Sequence, residues 1–436
     1  MKIVNTMNPK SRSRFNQVSG CVLLTAGALA ALRVSGAQSV LMGPPPSDTQ
    51  PVAVKEDAAN NEMNVFLPSY DVRDNSLPQP LKFGPVVVRP HPYYHFLYTT
   101  GLQSSTNSTQ RSIIQEISPG VAIDFGRHWT LDYTPTFRFY SNHAFRDSVD
   151  HAATLAGGTR YEDWTFNLSQ SYAQTDSTLA ETATQTKQQT FDTELGGSRI
   201  LNDKMYVDFG VSQVFNAVSG QQDSRTWSTM EWLNYQFNKR LNAGIGLGGG
   251  YVMVESEVPG PGNPDQAFEQ MQARVQWRAT DKLSLSVNGG FEEREILADG
   301  YNNELNPTFG ASIQYAPFKQ TQISLSAGRT VASSDFSILA QSTETTTVGI
   351  NISQRLLEKY FINAGASFTQ TEYTVAFGPI SNLRTDDIYN FNVRVGRSFL
   401  KRGNVALTYQ YSDNKSNQAG FSYISNQVGF EVGFTY

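Results

Sequence analysis

The sequence predicts an all-β fold, a transmembrane antiparallel up-and-down β-barrel of about eighteen strands with short periplasmic turns. Three observations lead there. Tight polar turns recur along most of the chain, strict alternation of apolar and polar residues fills the stretches between them, and aromatic residues gather near both strand ends.

The turns come first, because they set the strand count. They fall at Gly126-Arg127-His128, Glu162-Asp163, Asn202-Asp203-Lys204, Asn238-Lys239-Arg240, Thr280-Asp281-Lys282, Pro317-Phe318-Lys319, Glu358-Lys359 and Lys401-Arg402-Gly403, at intervals of 35 to 44 residues. Each interval holds two strands and one longer loop of mostly about ten residues. With Tyr93 to Leu102 before the set and Phe421 to Tyr436 after it, the count reaches eighteen.

Alternation then assigns the faces. Leu283, Leu285, Val287 and Phe291 alternate with Ser284, Ser286 and Asn288, and Phe309, Ala311, Ile313 and Tyr315 alternate with Gly310, Ser312 and Gln314. A pleated strand sends those two sets to opposite faces, which a soluble sandwich would also do. The aromatics decide between the two. Phe125, Trp129, Trp164, Phe166, Phe237, Trp277, Phe318, Tyr360 and Phe399 lie beside the tight turns, and Tyr98, Phe139, Phe215, Tyr251, Phe291, Tyr373 and Tyr411 lie towards the opposite ends. Two girdles around an apolar middle match the headgroup zones of a bilayer. Because a sheet edge in hydrocarbon strands its amides without partners, the first strand must meet the last.

Composition agrees. Of 436 residues 34 are Gly, 20 Tyr and 26 Phe, and charged residues make up 17%, which disfavours a helical bundle. No apolar run outside the amino terminus is long enough for a spanning helix. A net charge of −5 gives no reason to expect nucleic acid. One cysteine excludes an intrachain disulfide framework, and five scattered histidines give no ground for a metal or other cofactor.

Residues 1–37 read as a signal peptide: Lys2, Lys10, Arg12, Arg14 and Arg33, no acid, an apolar run from Val22 to Leu32, and small residues at Ser35-Gly36-Ala37. Cleavage after Ala37 removes five cations and takes the net charge from −5 to −10. Val18-Ser19-Gly20-Cys21 has the shape of a lipobox but precedes the apolar run, so Cys21 reads as an h-region thiol. Residues 38–92, rich in Pro, Asp, Glu and Asn, read as a periplasmic arm able to enter the lumen, and residues 93–436 as the barrel in the outer membrane of a Gram-negative cell.

The last strand is the sharpest motif. Val428, Phe430, Val432, Phe434 and Tyr436 alternate with Gln427, Gly429, Glu431, Gly433 and Thr435 to the carboxyl end. It resembles the terminal signal of bacterial outer-membrane barrels, and the stretch from Tyr93 to Tyr436 resembles the outer-membrane β-barrel porins, a family that includes barrels associated with exopolysaccharide export. The resemblance implies a passive conduit whose end is read by the barrel assembly machinery, with Phe434 and Tyr436 as the assembly signal. Its implied partners are outer-membrane lipid and small polar solutes or polysaccharide.

Parity places Asp124, Asp132, Arg138, Asp192, Glu194, Asp208, Arg274, Arg278, Arg394 and Glu431 on the lumen face. Acids dominate the earlier strands and arginines the later ones, so two outcomes are open: a transverse field acting on solute, or salt bridges that stiffen the wall. Other motifs have plainer readings. Gly244, Gly246 and Gly249 satisfy G-x-G-x-x-G without a following helix and describe a strand lacking side chains where something packs close. Asp150-His151 has the residues of an acid–base pair, yet neighbours on a strand face opposite ways. Asp413 to Asn417 resembles the start of a calcium loop without its glycine and closing acid, and reads as an exposed loop. No catalytic cluster emerges, so the expectation is a porin-like protein and not an enzyme. The rivals are an export barrel for exopolysaccharide and a non-conducting structural barrel. The oligomeric state stays open.

Overall fold

The computed structural model describes residues 81–126, 128–179, 183–256, 264–334, 342–357, 359–375, 381–399 and 402–435. The signal segment, residues 38–80 of the arm and Tyr436 lie outside the described residues. A short strand, β1 (Leu81–Phe83), turns back at Gly84-Pro85 onto β2 (Val86–Ser105). From β2 the chain runs up and down through eighteen long strands to β19 (Tyr423–Phe434), each pairing antiparallel with the next. β19 then pairs with β2, from Asn426↔Thr100 to Gly433↔Tyr93, and the barrel closes without an edge.

The eight tight turns all connect strands at one end, where Val86 and Phe434 also lie, so both chain ends of the barrel share that side. The barrel begins earlier than residue 93. Val86 to Pro92 pair with Pro119 to Phe125 and belong to the first barrel strand, although Pro90 and Pro92 interrupt it as a sequence. Proline is tolerated there because β19 reaches only to Tyr93 and β1 only to Val88, leaving the outer edge at Pro90 and Pro92 without a ladder to donate to. Connections at the other end are two to nine residues long, shorter than the sequence suggests, because the strands themselves run on to lengths of 12 to 20 residues. The β2 to β3 (Ser108–Phe125) connection is only Thr106-Asn107, made possible by Asn107 at φ 64°.

Register rows show why the sequence folds this way. Trp277, Leu285, Ile313, Leu325 and Ile350 face one another across β11 (Gln266–Thr280), β12 (Leu283–Ile296), β13 (Glu304–Phe318), β14 (Thr321–Ser333) and β15 (Ser342–Leu356). One residue along, Gln276, Ser286, Ser312, Ser326 and Gly349 form the neighbouring row on the opposite face. The outside is therefore an apolar belt, and Leu407, Met271 and Phe318 remain more than 60% exposed because nothing in the protein covers them. The inside is mostly Ser, Thr, Asn, Gln and Gly.

Candidate functional site: the lumen wall

Every second residue of β2 from Arg89 to His95 points inward, and each meets an acid on another strand. Arg89 donates to Asp124 of β3 at 2.6 Å, and His91 Nε2 lies 3.0 Å from Asp132 of β4 (Trp129–Tyr140). Tyr93 donates its hydroxyl to Glu431 of β19 at 2.5 Å, and His95 Nδ1 lies 3.2 Å from Glu116 of β3. Arg138 on β4 binds Glu116 at 2.7 Å and Asp150 of β5 (Ser148–Tyr161) at 2.8 Å. On the other side of the closing pair, Arg394 on β17 (Ser381–Phe399) reaches over β18 (Gly403–Ser416) to Glu431. A polar network thus runs along the wall from β17 to β5 and spans the β19–β2 seam. Glu431 at its centre is 1% exposed, where an unpaired carboxylate would be costly.

A second feature repeats around the wall: a lumenal aromatic ring, a guanidinium over it and an acid beyond. Arg274 of β11 lies 4.3 Å from the Trp232 ring and pairs with Asp208. Arg394 lies 4.6 Å from Phe361 and pairs with Glu431, and Arg294 lies 5.0 Å from Phe268 and binds Glu292 at 2.6 Å. Arg384 lies 3.8 Å from Phe421 and pairs with Asp386. Each ring gains a cation–π partner while each cation keeps its counter-ion, so the wall carries rigid charges with little net field nearby.

The glycines of β10 (Leu241–Ser256) make the Arg274 crossing possible. Arg274 faces Gly244, which faces Asn234 of β9 (Gln222–Asn238), and the guanidinium bonds Asn234 Oδ1 at 2.7 Å before reaching Asp208 of β8 (Met205–Val218). A Cβ on Gly244 would strike Asn234, and one on Gly246 would strike the Trp232 indole. Gly249, the third glycine of the motif, shares the outward parity of Leu247 and Tyr251.

The ten residues read as lumenal separate as follows. Asp124, Asp132, Arg138, Asp208, Arg274, Arg394 and Glu431 all take part in the ion pairs just described. Asp192 and Glu194 share the inward parity of β7 (Thr184–Ile200), facing Ser171 and Ser169 of β6 (Trp164–Leu179). Arg278 lines a shallow cavity of about 170 Å³ with Gln314 and Gln322 beside a tight turn. These pairs join nearby strands along the wall. Arg89, His91, Tyr93, His95 and Glu116 are additional wall residues. The alternation of Arg89, His91, Tyr93 and His95 was a visible signal, masked by the prolines between them.

The other motifs also find their places. Asp150 points inward to Arg138, whereas His151 points outward and its Nδ1 meets the Tyr133 hydroxyl at 2.9 Å. Asp413 to Ser416 continue β18 instead of forming an exposed loop, and Asn414 is 1% exposed. Phe434 ends β19 opposite Gly403.

The long-connection end of the wall carries an apolar patch. Leu97, Leu102, Ile114, Tyr140 and Phe145 form a buried apolar cluster, with Phe145 supplied by the connection at residues 141–147. β2 bends to reach it through irregularities between Thr99 and Leu102 and between Gln103 and Ser105, with Gly101 at φ 77°. A Cβ there would collide with the Ile424 carbonyl, so glycine is required twice over. The bent end of β2 accepts a hydrogen bond at the Gln103 carbonyl from Thr178 of β6 at 3.2 Å, and Asn107 donates its backbone N–H to the Gly420 carbonyl at 3.1 Å.

A closed antiparallel barrel with an apolar exterior and a polar lumen is the architecture of an outer-membrane β-barrel. Residues 269–436 match the family model described as "Putative beta-barrel porin 2". Similar solved structures include OccK2 (OpdF) of Pseudomonas aeruginosa, 11% identical over 80% of this chain and 98% of that one, with a TM-score of 0.42. OccK3 (OpdO) of the same organism is 10% identical over 80% and 96%, with a TM-score of 0.43. The siderophore receptor PiuA from Acinetobacter baumannii is 14% identical over 74% of this chain, with a TM-score of 0.38, and this chain spans 64% of its length. No curated protein matches the chain.

Proposed function

We propose that the barrel is a passive conduit of the outer membrane for small polar solutes. The supporting observation is the lumen wall: Ser, Thr, Asn, Gln and Gly interspersed with arginines that already hold their counter-ions. Such a surface hydrates a polar solute without binding it tightly, which is the condition for entry and release. The apolar cluster of Leu97, Leu102, Ile114, Tyr140 and Phe145 stands at the long-connection end of this wall. Planar-bilayer recording of the purified protein tests this reading. Stable ohmic steps with weak ion selectivity are expected, and silence at all voltages would overturn it.

The same cluster favours a second reading, an export barrel for exopolysaccharide that rests closed at its long-connection end. Liposome swelling distinguishes the two. A porin admits small sugars unaided, whereas a resting export barrel excludes them until the β2–β3 end is displaced. The amino-terminal arm belongs to the same proposal as a lumen element, and its deletion should raise conductance. The cleavage site after Ala37 is read directly by the mass of the mature chain.

A further inference from the structure

The outer wall is not uniform. Along β11 to β15 the lipid-facing row Val275, Val287, Ala311, Ala327 and Val348 is apolar, and the next row towards the long connections, Ala273, Gly289, Phe309, Arg329 and Thr346, turns polar only on β14 and β15. On β6 to β9 the pattern breaks. Gln170, Thr193 and Gln213 stand in one outward row that ends on Trp227 of β9, and Tyr172, Phe191 and Phe215 stand in the next row towards the long connections, where Arg225 continues the line. Thr193 donates to Gln170 Oε1 at 2.6 Å. The rings sit 4.6 Å apart for Tyr172 and Phe191 and 6.1 Å apart for Phe191 and Phe215, and the Arg225 guanidinium lies 5.3 Å from Phe215.

Between the two rails lies a cavity of about 300 Å³, lined by Gln170, Phe191, Thr193, Gln213, Phe215 and Arg225. Its polar floor is on the membrane side of its aromatic rail. That order is the reverse of an ordinary girdle, in which the rings mark the edge of hydrocarbon and nothing polar lies beneath them. An acyl chain satisfies no amide or hydroxyl, so this face suits a ligand that carries hydrogen-bonding groups below its headgroup and an anion at the height of Arg225.

We propose that the groove across β6 to β9 binds a phosphorylated glycolipid of the outer leaflet, with amide- and hydroxyl-bearing acyl linkages on the Gln170–Thr193–Gln213 row, sugar against the Phe191 and Phe215 rings, and phosphate at Arg225. The tight turns being periplasmic, the groove lies in the outer leaflet, where that chemistry is found. An ordinary phospholipid offers the phosphate but neither the sugar face nor the amides.

The test is native mass spectrometry of the full-length barrel in detergent, with lipid A and, separately, phosphatidylglycerol as the added probes. Arg225→Ala and the pair Thr193→Val with Gln213→Leu are compared with the parent, and the folded state of each is checked by its heat-dependent gel shift. The expected result is a lipid A adduct on the parent that falls at least tenfold in both variants, with phosphatidylglycerol retained poorly by all three. Equal retention of lipid A by parent and folded variants would overturn the proposal, as would equal affinity for both lipids. A parent that forms dimers lost in the variants, without a lipid adduct, would assign the groove to a second copy of this chain and equally reject the lipid.

Discussion

Arg274 and Asp208 are joined across two intervening strands, and the crossing is open only because Gly244 and Gly246 leave the inner face of β10 bare. The guanidinium takes the space that a side chain on β10 would occupy, stacks on Trp232 and bonds Asn234 on its way. The glycine-rich strand is therefore a channel for one side chain.

Gly246→Val fills that channel. The new methyls meet the Trp232 indole, which is 3% exposed and has little room to move. Overpacking of this kind costs about 1–3 kcal/mol. The variant should lose its folded gel band at a lower urea concentration than the parent, and Ile245→Val on the outward face should not.

Arg394→Ala leaves Glu431 with Tyr93 alone in a site closed to water. Removing one partner of a buried pair costs about 3–5 kcal/mol, whereas replacing both by apolar residues is often close to neutral. Thermal unfolding of Arg394→Ala and of Arg394→Met with Glu431→Leu should show the double variant the more stable of the two.

Ion selectivity follows the same pairs. Arg274→Ala and Arg394→Ala each free a lumenal carboxylate, so both should shift reversal potentials towards cation preference in a salt gradient. Unchanged selectivity would mean that these pairs serve the stiffness of the wall and lie off the permeation path.

Leu325 and Ser326 are neighbours that see different solvents. Leu325→Arg places a charge in the lipid-facing belt, at a cost of about 2–4 kcal/mol near the midplane. Ser326→Arg turns the same charge into the wet lumen and should leave stability within about 0.5 kcal/mol. Urea titration of both in one lipid checks the assignment of faces.

Phe145→Ala trims the apolar cluster at the long-connection end from a position 4% exposed. Large-to-small changes at such sites cost roughly 3–5 kcal/mol. Single-channel conductance should rise above that of the parent, and an unchanged value would place the narrowest point elsewhere.

Most of the barrel was legible because its two solvents write a period-two code that every strand repeats. The turns at Glu162-Asp163 and Asn202-Asp203-Lys204 stand where their polarity says. The first strand was read short because Pro90 and Pro92 break the ordinary strand signal, and their tolerance depends on how far β19 reaches, a property of closure and not of local sequence. The lumenal side of Arg274 and Glu431 followed from parity, but their partners did not, since 66 residues separate Arg274 from Asp208 and no spacing rule links them. The Phe145 cluster was hidden for a different reason: it needs Gly101 to bend β2 against the regular pleat.

The Tyr93–Glu431 bond joins residues 338 positions apart, almost the whole described chain. Loop entropy makes so distant a contact the last to form and gains nothing from partial synthesis. Glu431 therefore acts as a completeness check: a polypeptide that has lost its final strand cannot neutralise Arg394, leaves Tyr93 unmatched and exposes two raw edges to lipid. Truncated copies should remain open and visible to proteolysis, so the barrel is sealed only by a chain that carries β19.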